Sequence, residues 1–296
     1  MGLFSPKWMT DKPGKQRSAI EAVRQVRDQE QLYEISRQAP LEEVRAAAVR
    51  GITDTRLQKR ILEDSSDQKI LYALLMETRP EKASMAFISR DTVSKAVSRI
   101  DDQQLLENLI KKGHSPAVFR LKNKEAHYRI ISDPMFFAGS GLGAEEVHSI
   151  IWNAAVTTRP FTEKDEIIRA ARCTCDQDVA SHMVQEIIRN GWMTAEGIAV
   201  DDAFGTRARI AAIQVISDQE VLKHILTLDT NILIESAAKK RIDDPEIKRE
   251  LCGKGMHEWV CIRNEKEETG EHLYRTRYLK CRHCGAEKTE TESSAL

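Results

Sequence analysis

The strongest constraint on this chain is a short pattern that recurs along most of its length. An Asp follows a branched apolar residue by two places at Val26-Arg27-Asp28, Ile52-Thr53-Asp54, Ile100-Asp101-Asp102, Ile131-Ser132-Asp133, Ile216-Ser217-Asp218 and Ile242-Asp243-Asp244. Thr174-Cys175-Asp176 keeps the frame with Thr in the apolar place. Six residues before these Asp residues stand Ala22, Ala48, Ala96, Ala170, Ala212 and Ala238, with His127 as the exception. The Ala and the branched residue are four apart, so they share one face of a helix that ends at the Asp.

A second helix starts there. Apolar residues return at Leu32, Leu57, Leu105, Phe136, Val179, Leu222 and Ile247, while Pro134 and Pro245 occupy first-turn positions that favour Pro. Each Asp therefore reads as an N-cap, its carboxylate accepting from the unpaired N–H groups of the new helix. Gln29, Gln103, Gln177 and Gln219 follow four of these Asp residues. The spacing supplies two further anchors, Thr78 in Thr78-Arg79-Pro80-Glu81 and Thr158 in Thr158-Arg159-Pro160. The usual interval of 24 to 26 residues fits two short helices and two tight turns. Such a unit cannot bury its own apolar face and must stack on neighbours.

Composition agrees with a thin, helix-rich architecture. Of 296 residues 41% are apolar but only 5% aromatic, which leaves few rings to fill a thick core. Lys plus Arg is 45 against 46 for Asp plus Glu, so the net charge of -1 draws the whole molecule to neither nucleic acid nor anionic membrane. Only a local basic patch can do that. No apolar run approaches the roughly 20 residues a membrane span needs. The Met1-Gly2 start carries Pro6 where a myristoylation signal wants Ser or Thr. The expectation is a cytoplasmic protein with no membrane partner.

The segment Val44-Arg45-Ala46-Ala47-Ala48-Val49, followed by Ile52 and Asp54, resembles the first helix of a HEAT-type repeat, as does Ala208-Arg209-Ile210-Ala211-Ala212-Ile213. The resemblance covers residues 17–250 and implies an all-α fold, an α-solenoid of stacked short helix pairs serving as a protein-binding scaffold. Two stretches interrupt the pattern: the Gly-rich run Pro134 to Gly143, expected to be a flexible connector, and a loop from Asn190-Gly191 to about Gly205.

After Leu251 the texture changes from helical periodicity to alternation. Cys252 and His257 precede the knuckle Cys281-Arg282-His283-Cys284-Gly285. Four soft ligands in two pairs suit a closed tetrahedral structural Zn2+ site, and a small β-hairpin is expected between them, His257 to Ile262 against Leu273 to Lys280. The knuckle facing a second Cys/His pair resembles a zinc ribbon, which implies Cys252, His257, Cys281 and Cys284 as ligands. Cys261 competes with Cys252 for that role, and His283 is a poorer candidate. Between Cys252 and Glu290 there are eight Lys or Arg and seven Asp or Glu, a balance of 8 - 7 = +1, so the module is no basic platform. Tyr274 and Tyr278 are expected to pack against Trp259 in a tiny core.

Catalysis has no visible carrier. His114, His127, His148, His182, His224 and His272 are scattered, and none has an acid or nucleophile at convincing helical spacing. Cys173 and Cys175 are two apart and point away from each other on a helix. The chain is thus expected to comprise an N-terminal tail (1–16), a HEAT-like solenoid (17–250), a zinc-ribbon-like module (251–289) and a C-terminal tail (290–296). Its expected function is that of a non-enzymatic scaffold for a protein partner, with no small-molecule substrate. The alternative is nucleic-acid binding through a basic solenoid face or the ribbon.

Overall fold

The computed structural model describes residues 6–77, 88–228, 231–269 and 272–295. The chain is mostly helical, with a small three-stranded antiparallel sheet at its C-terminal end. It divides into two compact units, residues 1–187 and 188–296.

The first unit contains α1 (Gln16–Arg24), α2 (Gln29–Gln38), α3 (Glu42–Gly51), α4 (Thr55–Asp64), α5 (Gln68–Glu77), α6 (Arg90–Val97), α7 (Gln103–Lys111), α8 (Lys124–Ser132), α9 (Ala144–Trp152) and α10 (Lys164–Cys173), and it ends within α11 (Gln177–Arg189). Helices alternate in their packing. α1 lies against α3, α3 against α5 and α5 against α7, while α2 lies against α4 and α4 against α6, an arrangement consistent with a helical repeat. The predicted face is the buried one: Ala48, Ala96 and Ala170 are fully enclosed, as are Ile100 and Ile131. The second unit repeats the scheme with α12 (Ala195–Val200), α13 (Thr206–Val215), α14 (Gln219–Leu228), α15 (Ile232–Arg241) and α16 (Pro245–Gly253), α12 lying against α14 and α13 against α15. Among the described residues no helix is long and apolar enough to cross a membrane.

Asp28, Asp54, Asp102, Asp176, Asp218 and Asp244 cap helices as expected. Asp244 Oδ1, for example, accepts from the N–H of Glu246 at 2.8 Å and of Ile247 at 3.2 Å. The Gln that follows an Asp does a second job. Gln29 Oε1 accepts from Thr53 N–H (2.7 Å) and Asp54 N–H (3.1 Å), so it ties the cap of one helix to the next turn of the stack. Gln219 Oε1 does the same to Asp243 (2.7 Å) and Asp244 (3.3 Å). In both cases the amide nitrogen reaches back to two carbonyls, Arg27 and Gly51 for Gln29, Ser217 and Arg241 for Gln219. Gln68 bridges to Asp101 and Asp102 (2.8 and 3.0 Å), in a copy with Ser65 in the branched position. Replacing Asp244 with Ala removes an acceptor from two N–H groups, and chemical denaturation of the 188–296 unit should show a loss of about 1 kcal/mol. An unchanged midpoint would mean that the cap contributes nothing.

Three anchors behave differently. Asp133 ends α8 and accepts from Met135 N–H in a turn that does not become an α-helix. Thr158 stands at the end of a helical turn, bonded back to Ala154, and the next helix is capped by Glu163 through a capping box with Glu166. Thr78 lies outside the described residues. The equal spacing also hides a change of row: Asp28 and Asp54 start α2 and α4, which pack together, whereas Asp102 starts α7, which packs against α5.

Neither interruption is loose. In the Gly-rich stretch Phe136 and Phe137 are buried edge to face with centroids 4.9 Å apart. The expected loop after Gly191 contains α12, and Phe204 at its end is 2% exposed. Arg209 locks it from α13, donating to the Ala199 carbonyl and to Asp202 at 2.8 and 2.9 Å.

The sheet has the order β1 (Trp259–Thr269), β2 (His272–Cys281), β3 (Glu287–Ala295), so a third strand joins the expected hairpin. β3 covers most of the expected C-terminal tail. Its sequence is built largely of Glu, Thr and Ser. It pairs through cross-strand contacts such as Lys280–Glu287 (3.0 Å) and Thr276–Thr291 (3.3 Å).

Candidate metal centre

The end of α16 and the knuckle converge. α16 closes in a Schellman turn, Met256 N–H donating to the Leu251 carbonyl (2.9 Å) and Gly255 N–H to that of Cys252 (3.0 Å). Gly255 takes φ 83°, a left-handed conformation in which a side chain would be strained. This reversal leaves Cys252 in the last turn of the helix and brings His257 back beside it. From the other direction β2 delivers Cys281, whose carbonyl accepts from Gly285 N–H at 3.0 Å, and Gly285 (φ 75°) folds Cys284 over Cys281.

The four predicted residues meet there. One ligand atom from each of Cys252, His257, Cys281 and Cys284 lies within 4.8 Å of the others, with Cys252 Sγ 3.5 Å from Cys281 Sγ and Cys284 Sγ 3.2 Å from His257 Nδ1. Zn–S bonds of about 2.3 Å in a tetrahedron put two sulfurs about 3.8 Å apart, so the cluster needs only a small expansion or contraction to take the ion. Cys261 is elsewhere. It is exposed on β1, its thiol turned to the Arg263 carbonyl, and it contributes nothing to the cluster.

Burial opposes ionisation of both enclosed thiols. At Cys252 it prevails, reinforced by Cys281 and Cys284, and the thiol is pushed up. At Cys281 burial is overcome by the N–H groups of Cys284 and His283 and by the His257 and Cys252 side chains, which pull the thiol down. The cluster thus gathers one favoured thiolate and protons that a divalent cation displaces on binding.

Second contacts hold the ligands in place. Trp259 packs on the His257 ring at 4.7 Å and lies under the Lys288 ammonium at 4.7 Å. Glu258 bonds His283 (2.6 Å) and Arg282 (3.2 Å), which keeps His283 turned away from the cluster, and these partners hold the Glu258 carboxyl below the usual range, the His283 bond foremost. The tyrosines do not join Trp259. Register places Trp259 opposite Cys281, on the other face from Tyr278, which instead donates to Glu265 at 2.9 Å beneath Arg263.

Comparison with family models, with curated proteins and with solved structures gives no match to the chain. The reading of the site therefore rests on its own geometry.

The remaining histidines divide by environment. His114 bonds the Leu75 carbonyl (2.7 Å), and His127 lies between the carbonyls of Ala154 (2.7 Å from Nδ1) and Leu121 (3.2 Å from Nε2), donating to one of them; burial pushes both rings toward neutrality. They serve the core. His148 is different, because it meets Asp176 at 2.7 Å across two helices, a pairing invisible to a search at helical spacing. His182 stands 3.8 Å from Glu186, one turn on along the same helix. Cys173 and Cys175 are half-buried and not joined in a disulfide.

Proposed function

We propose that the chain is a non-enzymatic protein-interaction scaffold: a HEAT-like α-solenoid over residues 17–250 carrying a zinc-ribbon-like module over 251–289. Cys252, His257, Cys281 and Cys284 hold one structural Zn2+ in this reading, in a reducing compartment that suits the free thiols, the cytoplasm. The observation that carries it is the Asp–Gln clamp. The same side chain makes the same four bonds at Gln29 and at Gln219, as expected where one supersecondary unit has been copied along a stack. Four N/S ligands leave no open position for substrate, in keeping with a structural ion. Leu228, Ile232 and Leu233 keep 58 to 78% of their surface exposed, which supplies apolar contact for a protein partner.

One feature favours the alternative, nucleic-acid binding. Lys240 and Lys248, together with the paired Lys239–Glu235 and Arg282–Glu258, line a groove of about 640 Å3 that also takes in His257 and Ile232. Pull-downs from native cytoplasm with and without nuclease decide between the two. Protein partners that persist after nuclease and are lost with Leu233→Asp support the scaffold. Partners released by nuclease, and lost with Lys239→Glu/Lys240→Glu while Leu233→Asp retains them, overturn it in favour of nucleic acid.

A further inference from the structure

A second cluster of metal-ligating groups lies in the first unit. α9 carries His148 to the start of α11, where its Nδ1 lies 2.7 Å from Asp176 Oδ2. The other oxygen of Asp176 accepts from the N–H groups of Asp178 and Val179 at 3.0 Å each, so this carboxylate is fixed by the helix start and in turn fixes the imidazole. The opposite ring nitrogen, Nε2, is then 3.6 Å from Asp178 Oδ2. Ligands at about 2.0–2.1 Å from a tetrahedral ion stand about 3.3 Å apart, close to that separation. His182 is one turn beyond Asp178 on the same helix face. Its ring stands edge-on to Trp152 at 5.6 Å, and His148 approaches the same indole at 6.5 Å. The groove they share, about 550 Å3, is open to solvent.

We propose that His148 and Asp178 form a second metal site for an exchangeable divalent first-row transition ion, with Asp176 as the carboxylate that orients His148; His182 shares the groove but turns its Nε2 to Glu186 at 3.8 Å, outside the cluster. An ion pair between His148 and Asp176 alone has no use for Asp178 at the far nitrogen. Metal-bound imidazoles commonly donate their other N–H to a carboxylate, which is the role left to Asp176. One imidazole and one carboxylate suit Ni2+, Co2+ or Zn2+ with water completing the shell, and they bind more weakly than a thiolate-rich centre.

The test uses nickel as probe on the full chain loaded with one equivalent of zinc, which the thiolate-rich centre takes first, read by equilibrium dialysis with both metals quantified. The wild-type protein should take up about one further ion per chain. His148→Ala and Asp178→Asn should each weaken nickel binding at least tenfold, and Asp176→Asn, which keeps an oxygen for the helix cap, by roughly 10- to 100-fold. Zinc content should not change in any of them, whereas Cys281→Ser should lose zinc and keep nickel, so the two metal assignments stand or fall separately. Asp178→Asn changes no volume and decides the matter should His148→Ala fold poorly. Absence of nickel uptake beyond the zinc equivalent, or equal nickel affinity in wild type and Asp178→Asn, overturns the proposal.

Discussion

Cys281→Ser should take the purified chain from about one zinc ion per molecule to none. Cys281 is 2% exposed, stands 3.5 Å from Cys252, and is the thiol whose charge the surrounding N–H groups favour most. A hydroxyl there supplies no thiolate, and three remaining ligands in a closed site rarely retain the ion. The energetic effect is large because the binding free energy of a structural zinc, on the order of 10 kcal/mol at neutral pH, is also folding free energy for the segment that holds it. Residues 257–295 should become accessible to protease, while the melting of the 1–187 unit should not move. Acid should act in the same direction: ligand atoms must be deprotonated to bind, so zinc is retained at neutral pH and released as pH falls and protons compete for the ligand atoms. Cys261→Ser, at an exposed thiol outside the cluster, should keep its zinc. A wild-type protein prepared without chelator that contains no metal yet resists protease would remove the metal from the fold altogether.

Phe204→Ala should cost about 3–5 kcal/mol of stability in the 188–296 unit. The ring is 2% exposed, at the end of a segment locked by the Arg209 bonds to Ala199 and Asp202. Deleting it leaves a cavity that α12 and α13 cannot close without breaking those bonds. Urea unfolding of the full chain monitored by a probe in the second unit measures the loss. A change under about 1 kcal/mol would return this stretch to the status of a surface loop, since truncation of exposed loop residues has little effect.

How far the sequence could be read depended on whether the forces were local. An N-cap is a contact within three residues, so Asp28, Asp54, Asp218 and Asp244 announce themselves in a single chain. The metal cluster was legible for a different reason: Cys and His in pairs are rare enough that spacing alone selects Cys252, His257, Cys281 and Cys284, although it could not choose between Cys252 and Cys261. What decides that is the Schellman turn at Gly255, a backbone feature. Strand β3 escaped because its own side chains are nearly all polar and its partners lie across the sheet, which leaves no apolar alternation to find. Phe204 escaped because Asp201, Asp202 and Gly205 around it carry turn chemistry, and burial overrode it. Asp133 and Thr158 misled for the converse reason: each has the local look of a helix start, yet tertiary packing of Phe136 and the Glu163–Glu166 capping box placed the starts elsewhere. His148 and Asp176 meet only through the fold.

The position of Cys252 within α16 has a practical side. Three of the four sulfur and nitrogen donors come from the stretch between His257 and Cys284, but the fourth belongs to a helix whose other face is buried at Ile247 and Leu251. A fragment beginning at Gly253 would be one donor short, and one beginning at Cys252 would carry the donor without the helical turn that aims it. Transplanting this tail onto another protein therefore requires α16 from its Asp244 cap onward, so the smallest portable piece is a helix with its sheet and not the sheet alone.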